Sequence, residues 1–266
     1  MAKSKQHLAG IVLFIVVIIC SFVITGCEDY KVAGPLVYET DSVTDIDGNV
    51  YTTVKIGNQW WMAENLRVTR YRNGDSLLFI GNLIKYEFDT LKWKNLIDTG
   101  AYCLGIADLD SSNNSDFIQR RGLLYNWYAI SGTGNIAPDG WHVPGDDDWK
   151  ELEMHLGMSE EEANNVNWRG SDEGNKLKLQ KGDNWYEPTD KFEVWGSNES
   201  GFSAVGGNCR MYDGSLGAGV NYIGFWWTST LNNEQAWYRH LDYNKSTVFR
   251  YYGPLTYGFS VRCVKD

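Results

Sequence analysis

The residues best spaced for chemistry lie between Asp108 and Asp116. Asp108, Asp110, Ser112, Asn114 and Asp116 place an oxygen-bearing side chain at every second position. That is close to the alternation by which a loop surrounds calcium. The central glycine is missing, and Gln119 stands near the place where a bidentate glutamate would close such a loop. The match is partial, so a solvated loop competes with a cation site whose ligands would be Asp108, Asp110, Asn114 and Asp116. Asp45, Asp47 and Asn49 form a second oxygen cluster, but they surround an Asp-Gly turn whose own hydrogen bonds explain them. Asp146, Asp147 and Asp148 follow Pro144 and invite an acid/base or metal reading. A helix N-terminus, whose dipole favours negative charge, accounts for them without either.

Other catalytic patterns are weaker. Beyond Cys27 the histidines are His142, His155 and His240, with no pair at metal-ligand spacing, no Gly-x-Ser-x-Gly elbow and no phosphate loop. Two carboxylates could serve a glycosidase, yet nothing selects a pair among 34 acidic residues. A non-enzyme is expected. Cys103, Cys209 and Cys263 show no Cys-x-x-Cys spacing. They can make one bridge and leave a thiol over, or remain free as small buried hydrophobes.

The N-terminus fixes the compartment. Lys3 and Lys5 precede an apolar run from Ile11 to Ile24, and Ile24-Thr25-Gly26-Cys27 closes it with small residues before a cysteine. This is a secretion signal, and its end resembles the lipobox of bacterial lipoproteins, in which the cysteine is acylated and becomes the mature N-terminus. A single membrane-anchoring helix is the alternative, since about twenty apolar residues span a bilayer. Polar Ser21 and Thr25 and the placed cysteine favour the lipoprotein. Residues 1–26 are therefore read as signal peptide, 27–44 as a tether and 45–266 as one soluble domain, lipid-anchored at the outer membrane or cell surface.

Removing Lys3 and Lys5 takes the basic count from 24 to 22 against 34 acidic residues, a net charge of about −12. Such a surface repels phosphate backbones, which excludes nucleic acid as a partner.

The elements that would position any site are short. Asp47-Gly48 and Gly57-Asn58 mark two hairpins in series, with Val50, Thr52, Val54 and Ile56 on one side of the strand between them. Residues 76–100 lack a clean period and read as an insertion with one or two short strands. Arg121 to Ile130 reads as a short buried helix. After Pro144, Trp149, Leu152 and Leu156 recur at helical spacing, and Ser159-Glu160-Glu161-Glu162 opens another helix with a capping box. From Gly170 to Asn198 the chain is polar and loop-like. The last forty residues read as a terminal sheet. Its closing strand alternates Phe259, Val261 and Cys263 with Ser260, Arg262 and Val264, so that one face is buried and the other polar. No repeat of about 20 to 50 residues is present, which argues against solenoids and propellers.

Seven blocks of the chain resemble, in order, the Fibrobacter succinogenes major paralogous domain family of secreted and surface proteins in Bacteroidetes and relatives. They are Asp47 to Tyr51, Gly57 to Leu66, Leu124 to Ala129, Pro138 to Pro144, Glu199 to Ala204, Phe225 to Thr230 and Gly258 to Asp266. The resemblance implies an α+β, C-type lectin-like mixed fold with short antiparallel strands, two or three short helices and long loops. It relates the fold to the formylglycine-generating enzymes as well, but the reactive cysteine pair of those enzymes has no counterpart here. It also implies that, of the three cysteines, Cys103 pairs with Cys263.

A lectin-like domain presents loops to a glycan or protein ligand. All twelve tryptophans follow Cys27, and large aromatics fill loop-rich cores efficiently. Most are therefore assigned to the core. Trp185, Tyr186, Trp195, Tyr222 and Trp237 lie in polar segments and are the candidate ligand-binding residues. Calcium lectins of this fold use a Glu-Pro-Asn triplet; Glu187-Pro188-Thr189-Asp190 is only an echo of it, so calcium-dependent sugar binding does not transfer. No cofactor is expected unless calcium occupies the loop at 108–116. A monomeric binding module is the leading reading, with a structural or adhesin-type subunit of a surface assembly second.

Overall fold

The computed structural model describes residues 36–81, 86–106, 114–132, 134–180, 185–186, 196–217 and 219–266. The signal peptide, the anchor Cys27, Asp108, Asp110 and Trp195 lie outside them.

Strand order begins earlier than the sequence suggests. Thr40–Thr44 is a strand, β1, that pairs antiparallel with β2 (Val50–Ile56), Thr40 opposite Val54 and Thr44 opposite Val50. The expected tether over 27–44 therefore does not extend past residue 39, because β-branched Thr40, Val43 and Thr44 suit a pleated edge. Asp45 closes this hairpin. Its Oδ1 accepts the N–H groups of Asp47 and Asn49 at 2.9 Å each, and its Oδ2 accepts the Tyr51 hydroxyl at 2.6 Å. Asp47 in turn accepts the Thr69 N–H at 2.6 Å and the Arg70 Nε at 2.5 Å. The oxygen cluster at 45–49 is thus turn chemistry.

The second hairpin leads through Gly57, at φ 60°, into β3 (Gln59–Met62). Side chains of β2 are buried on both sides, Tyr51 and Thr53 on one and Val54 and Ile56 on the other. Next come β4 (Leu78–Phe79), α1 (Tyr86–Lys94) and β5 (Ala101–Cys103). The described part of 76–100 therefore holds a helix beside one short strand. Then follow α2 (Asn114–Arg121), β6 (Leu124–Tyr125), α3 (Trp127–Ser131) and β7 (Trp141–His142). The helix expected over 121–130 is confined to α3, because Asn126 caps it: its side chain accepts the N–H of Ala129 at 3.1 Å.

Pro144 precedes α4 (Asp146–His155), which carries Trp149 and Leu152 into the core. The capping box at Ser159 and Glu162 opens α5 (Glu160–Asn164) as the sequence predicts. The chain then forms β8 (Asn167–Arg169), α6 (Glu173–Leu177), β9 (Ile223–Asn232), β10 (Gln235–Asp242), β11 (Val248–Pro254) and β12 (Val264–Lys265). The class is α+β, with six short helices among the described residues where two or three were expected.

Three sheets result, in the orders β1-β2-β3-β12-β7, β8-β11-β10-β9 and β4-β5-β6. The closing segment does return to the first hairpins, since Val264 of β12 lies opposite Trp61 of β3 and His142 of β7. Its polar face is buried too, with Ser260 and Arg262 each 1 % exposed. A knot of hydrogen bonds makes this tolerable. Asn65 Oδ1 accepts from Trp226 Nε1 at 3.0 Å and Arg262 Nε at 2.9 Å, while Asn65 Nδ2 donates to the Arg121 carbonyl at 2.8 Å. Arg262 also donates to the carbonyls of Phe202 and Ser203. Most tryptophans fill the core as expected: Trp61, Trp93, Trp149, Trp226 and Trp227 are fully buried, and Trp127 and Trp141 nearly so.

Candidate functional site

The densest charge lies where ligands cannot reach it. Arg239 on β10 binds Glu153 of α4 through Nε at 2.7 Å and Asp146 through Nη1 at 2.8 Å. Arg250 grips both oxygens of Asp146 at 2.9 and 2.7 Å, and Arg169 binds Glu153 at 2.6 Å. All five are buried. Burial alone would raise the Asp146 carboxyl, but Arg250 and Arg239 outweigh it and hold the group well below the usual carboxylate range. Of the three aspartates after Pro144, Asp146 thus anchors α4 to the sheet, Asp148 accepts the Gly145 N–H at 2.7 Å as a cap, and Asp147 faces solvent. This centre positions elements and offers no free base.

His142 serves the same end. It lies between Asp266 Oδ1 at 2.7 Å and Asp148 Oδ2 at 3.4 Å, tying the last residue to α4. His240 is enclosed by Phe225, Trp168 and Phe249, and burial lowers its pKa although Asp242 opposes this.

One ordered aromatic group that reaches solvent lies at a corner where three loop segments meet. Tyr186 and Tyr222 stack with centroids 4.7 Å apart and planes 19° apart. Tyr243 stands nearly perpendicular to both, at 5.5 Å and 86° from Tyr186 and 5.4 Å and 83° from Tyr222. Backbone bonds lock the segments: the Tyr186 N–H donates to the Asn221 carbonyl at 2.7 Å, and the Tyr243 N–H to the Tyr222 carbonyl at 2.9 Å. Tyr186 is 43 % exposed, and Tyr222 and Tyr243 are half-buried. Desolvation by its neighbours, with Tyr186 adding to it, raises the Tyr222 hydroxyl's pKa.

Lys178 holds this corner from inside. It is 1 % exposed, and its Nζ donates to the carbonyls of Lys245 at 2.8 Å, Asp242 at 3.1 Å and Tyr243 at 3.5 Å. Burial pushes its ammonium down to about 8, with Asp242 pulling the other way. The β10–β11 turn that carries Tyr243 is therefore gripped by a buried cation. Asp242 stays ionised: burial would raise it, but its bonds to His240 and to the Asn244 N–H lower it.

The structure brings together three of the five candidate ligand residues. Tyr186 and Tyr222 form the exposed stack, and Trp185 sits behind it, half-buried, its Nε1 donating to the Ala204 carbonyl at 2.9 Å. Trp237 is elsewhere, on β10, with the Arg250 guanidinium 3.7 Å from its ring centre and Tyr252 edge-on at 5.0 Å. Trp195 falls outside the described residues. Sequence reasoning missed Tyr243, although Asp242 and Asn244 on either side mark a turn tip. It also missed Trp168, which is 37 % exposed on β8.

Two further expectations change. Cys103, Cys209 and Cys263 are free and buried, so the Cys103–Cys263 bridge is not formed. Cys103 packs beside Trp93 and Leu124 in a small core, whereas Cys263 belongs to the main core with Met62 and Val261. Burial raises all three thiols, Cys103 to about 11 against the pull of Arg210 and Cys209 to about 12. Of the calcium-loop candidates, Asn114 begins α2 and Asp116 is exposed in its first turn, while Asp108 and Asp110 are not described. Among the described residues no group of His, Cys, Asp or Glu is arranged to hold a metal, and no helix is long and apolar enough to cross a membrane.

Comparison with known families gives one match: the model of the Fibrobacter succinogenes major domain matches residues 54–265. No curated protein and no solved structure matches the chain.

Proposed function

Because the chain belongs to the Fibrobacter succinogenes major domain family, we propose that it is a non-enzymatic binding module, lipid-anchored through Cys27 outside the cytoplasm at the outer membrane or cell surface. Its ligand is a glycan or a protein, met at the corner formed by Tyr186, Tyr222 and Tyr243. The observation that carries this reading is the locked tyrosine stack. Aromatic side chains left in solvent are usually mobile and scattered, whereas here three rings are fixed by one another, by two backbone bonds and by Lys178. Rigid, amphipathic rings supply contact area at low conformational cost, which suits recognition. The lectin-like architecture belongs to the same proposal and is supported by the loop-borne site above short strands.

The test is a glycan array probed with the full chain in detergent, with and without chelator, beside Tyr186→Ala. Binding lost in the variant and unaffected by chelator supports the module; dependence on chelator would move the site towards the calcium loop at 108–116. A second reading, a structural or adhesin-type subunit, has its own support in β1, an exposed edge strand of the five-stranded sheet. Edge strands are templates for pairing with another chain. Gel filtration separates the two, since the module is a monomer and the subunit an oligomer.

A further inference from the structure

The outer edge of β1 is complementary to itself. The strand stands at the end of the five-stranded sheet, and all of its residues except Val43 are exposed. Two backbone bonds bracket its ladder with β2: the Lys55 N–H donates to the Glu39 carbonyl at 2.9 Å, and the Asp45 N–H to the Asn49 carbonyl at 3.0 Å. Along an antiparallel strand alternate residues turn their N–H and C=O groups towards the same neighbour. Glu39, Asp41, Val43 and Asp45 therefore face β2, while Thr40, Ser42 and Thr44 turn their backbone groups outward.

These three positions are symmetric about Ser42. When a second copy is laid antiparallel across a twofold axis at Ser42, Thr40 stands opposite the second copy's Thr44, and Ser42 opposite its own counterpart. Every outward N–H then meets an outward carbonyl. Threonine pairs across strands add to such a contact.

One side chain obstructs it. Asp41 is exposed, and its Oδ1 accepts the Ser42 N–H at 2.8 Å, which occupies the central donor of the edge. In the paired strands the two Asp41 carboxylates would also lie diagonal to each other on one face, where like charges repel. Lys55 sits diagonal to Asp41 within the chain, but its ammonium is engaged by Glu39 at 3.1 Å. Charged side chains on an edge are a common means of keeping sheets from joining.

We propose that β1 is a docking strand for β1 of a second copy and that Asp41 holds it closed, so that neighbouring chains stay apart until its carboxylate is displaced. The proposal rests on the exposed edge invoked for the subunit reading and is independent of the tyrosine corner.

The experiment introduces a thiol at the twofold axis. Opposed Cα atoms in a hydrogen-bonded antiparallel pair are about 5.5 Å apart, within the roughly 4.4–6.8 Å that a disulfide spans. Ser42→Cys leaves the backbone N–H to which Asp41 is bonded in place, and Cys103, Cys209 and Cys263 are buried. The full mature protein in detergent is treated with oxidised glutathione, and linked dimers are read on a non-reducing gel. Ser42→Cys alone should link slowly, and adding Asp41→Thr should speed linkage at least tenfold. Val50→Cys with Asp41→Thr is the control. Val50 is exposed but lies on β2, so two copies of it would be more than about 14 Å apart across the paired edges, and linkage should stay slow. Equal rates with and without Asp41→Thr would remove Asp41 from the device. Linkage at position 50 as fast as at position 42 would overturn the edge pairing, and so would absence of linkage in every variant. Each of these failures leaves the tyrosine corner standing.

Discussion

The guanidinium of Arg239 and the carboxylate of Glu153, on β10 and α4, are joined Nε to Oε1 at 2.7 Å with neither side chain exposed. Asp146, Arg169 and Arg250 complete the cluster, in which three guanidiniums, and Lys150 at its edge, surround two carboxylates. Replacing Arg239 by Ala removes the bridge between the two carboxylates, leaving Glu153 to Arg169 and Asp146 to Arg250 and Lys150, with a buried hole where the guanidinium stood. We expect a loss of about 3–5 kcal/mol, read from the urea midpoint, against a small change for the exposed pair partner Asp147→Ala.

The same cluster sets the acid limit. The folded-state pKa of Asp146 is depressed by Arg250 and Arg239 against the opposing effect of burial. The unfolded carboxyl, near 3.9, therefore takes up its proton first as pH falls. Its contribution is complete above about pH 4 and is lost progressively below that. Urea midpoints of the unaltered protein and Asp146→Asn should converge as the pH drops below 4; parallel curves would contradict the ion-pair account.

At the alkaline end Lys178 acts with the opposite polarity. Burial lowers its folded-state pKa to about 8 from the ordinary 10.5. Between these values the unfolded chain holds a proton that the folded chain has released, so stability rises with pH there. Relative to Lys178→Met, the unaltered protein should gain stability from pH 8 to pH 10.5, and hydrogen exchange of the β10–β11 turn should be faster in the variant. A constant difference across that range would remove Lys178 from the mechanism that holds Tyr243.

The thiols give a direct count. With Cys103, Cys209 and Cys263 free, buried and raised in pKa, the folded mature protein should react slowly with a disulfide reagent and yield three thiols per chain in denaturant. One thiol would indicate a bridge, and reductant would then lower the melting midpoint.

Local chemistry was legible in the sequence where neighbours decide the structure. The Asp-Gly and Gly-Asn turns, the helix after Pro144 and the capping box at Ser159 all depend on residues within four positions of one another. What was hidden depends on distant partners. Arg262 reads as a solvent-facing residue of an alternating strand until Asn65 and the carbonyls of Phe202 and Ser203 meet it. The burial of Arg239 and Arg250 depends likewise on α4, which brings Asp146 and Glu153. The helix α1 was missed because its apolar residues follow no face, and β1 because five polar and β-branched residues look like linker until β2 pairs with them. The site was half legible: Tyr186 and Tyr222 stood out as aromatics in polar loops, but their stacking and the third ring, Tyr243, arise only from the fold.

The central claim is that the tyrosine corner binds ligand, and titration of a glycan-array hit into the unaltered protein and into Tyr186→Ala and Tyr222→Ala tests it most directly. The account predicts at least tenfold weaker binding in each variant, about 1.4 kcal/mol, with urea midpoints little changed for Tyr186→Ala. Unchanged affinity in both variants, with the fold intact, would contradict it.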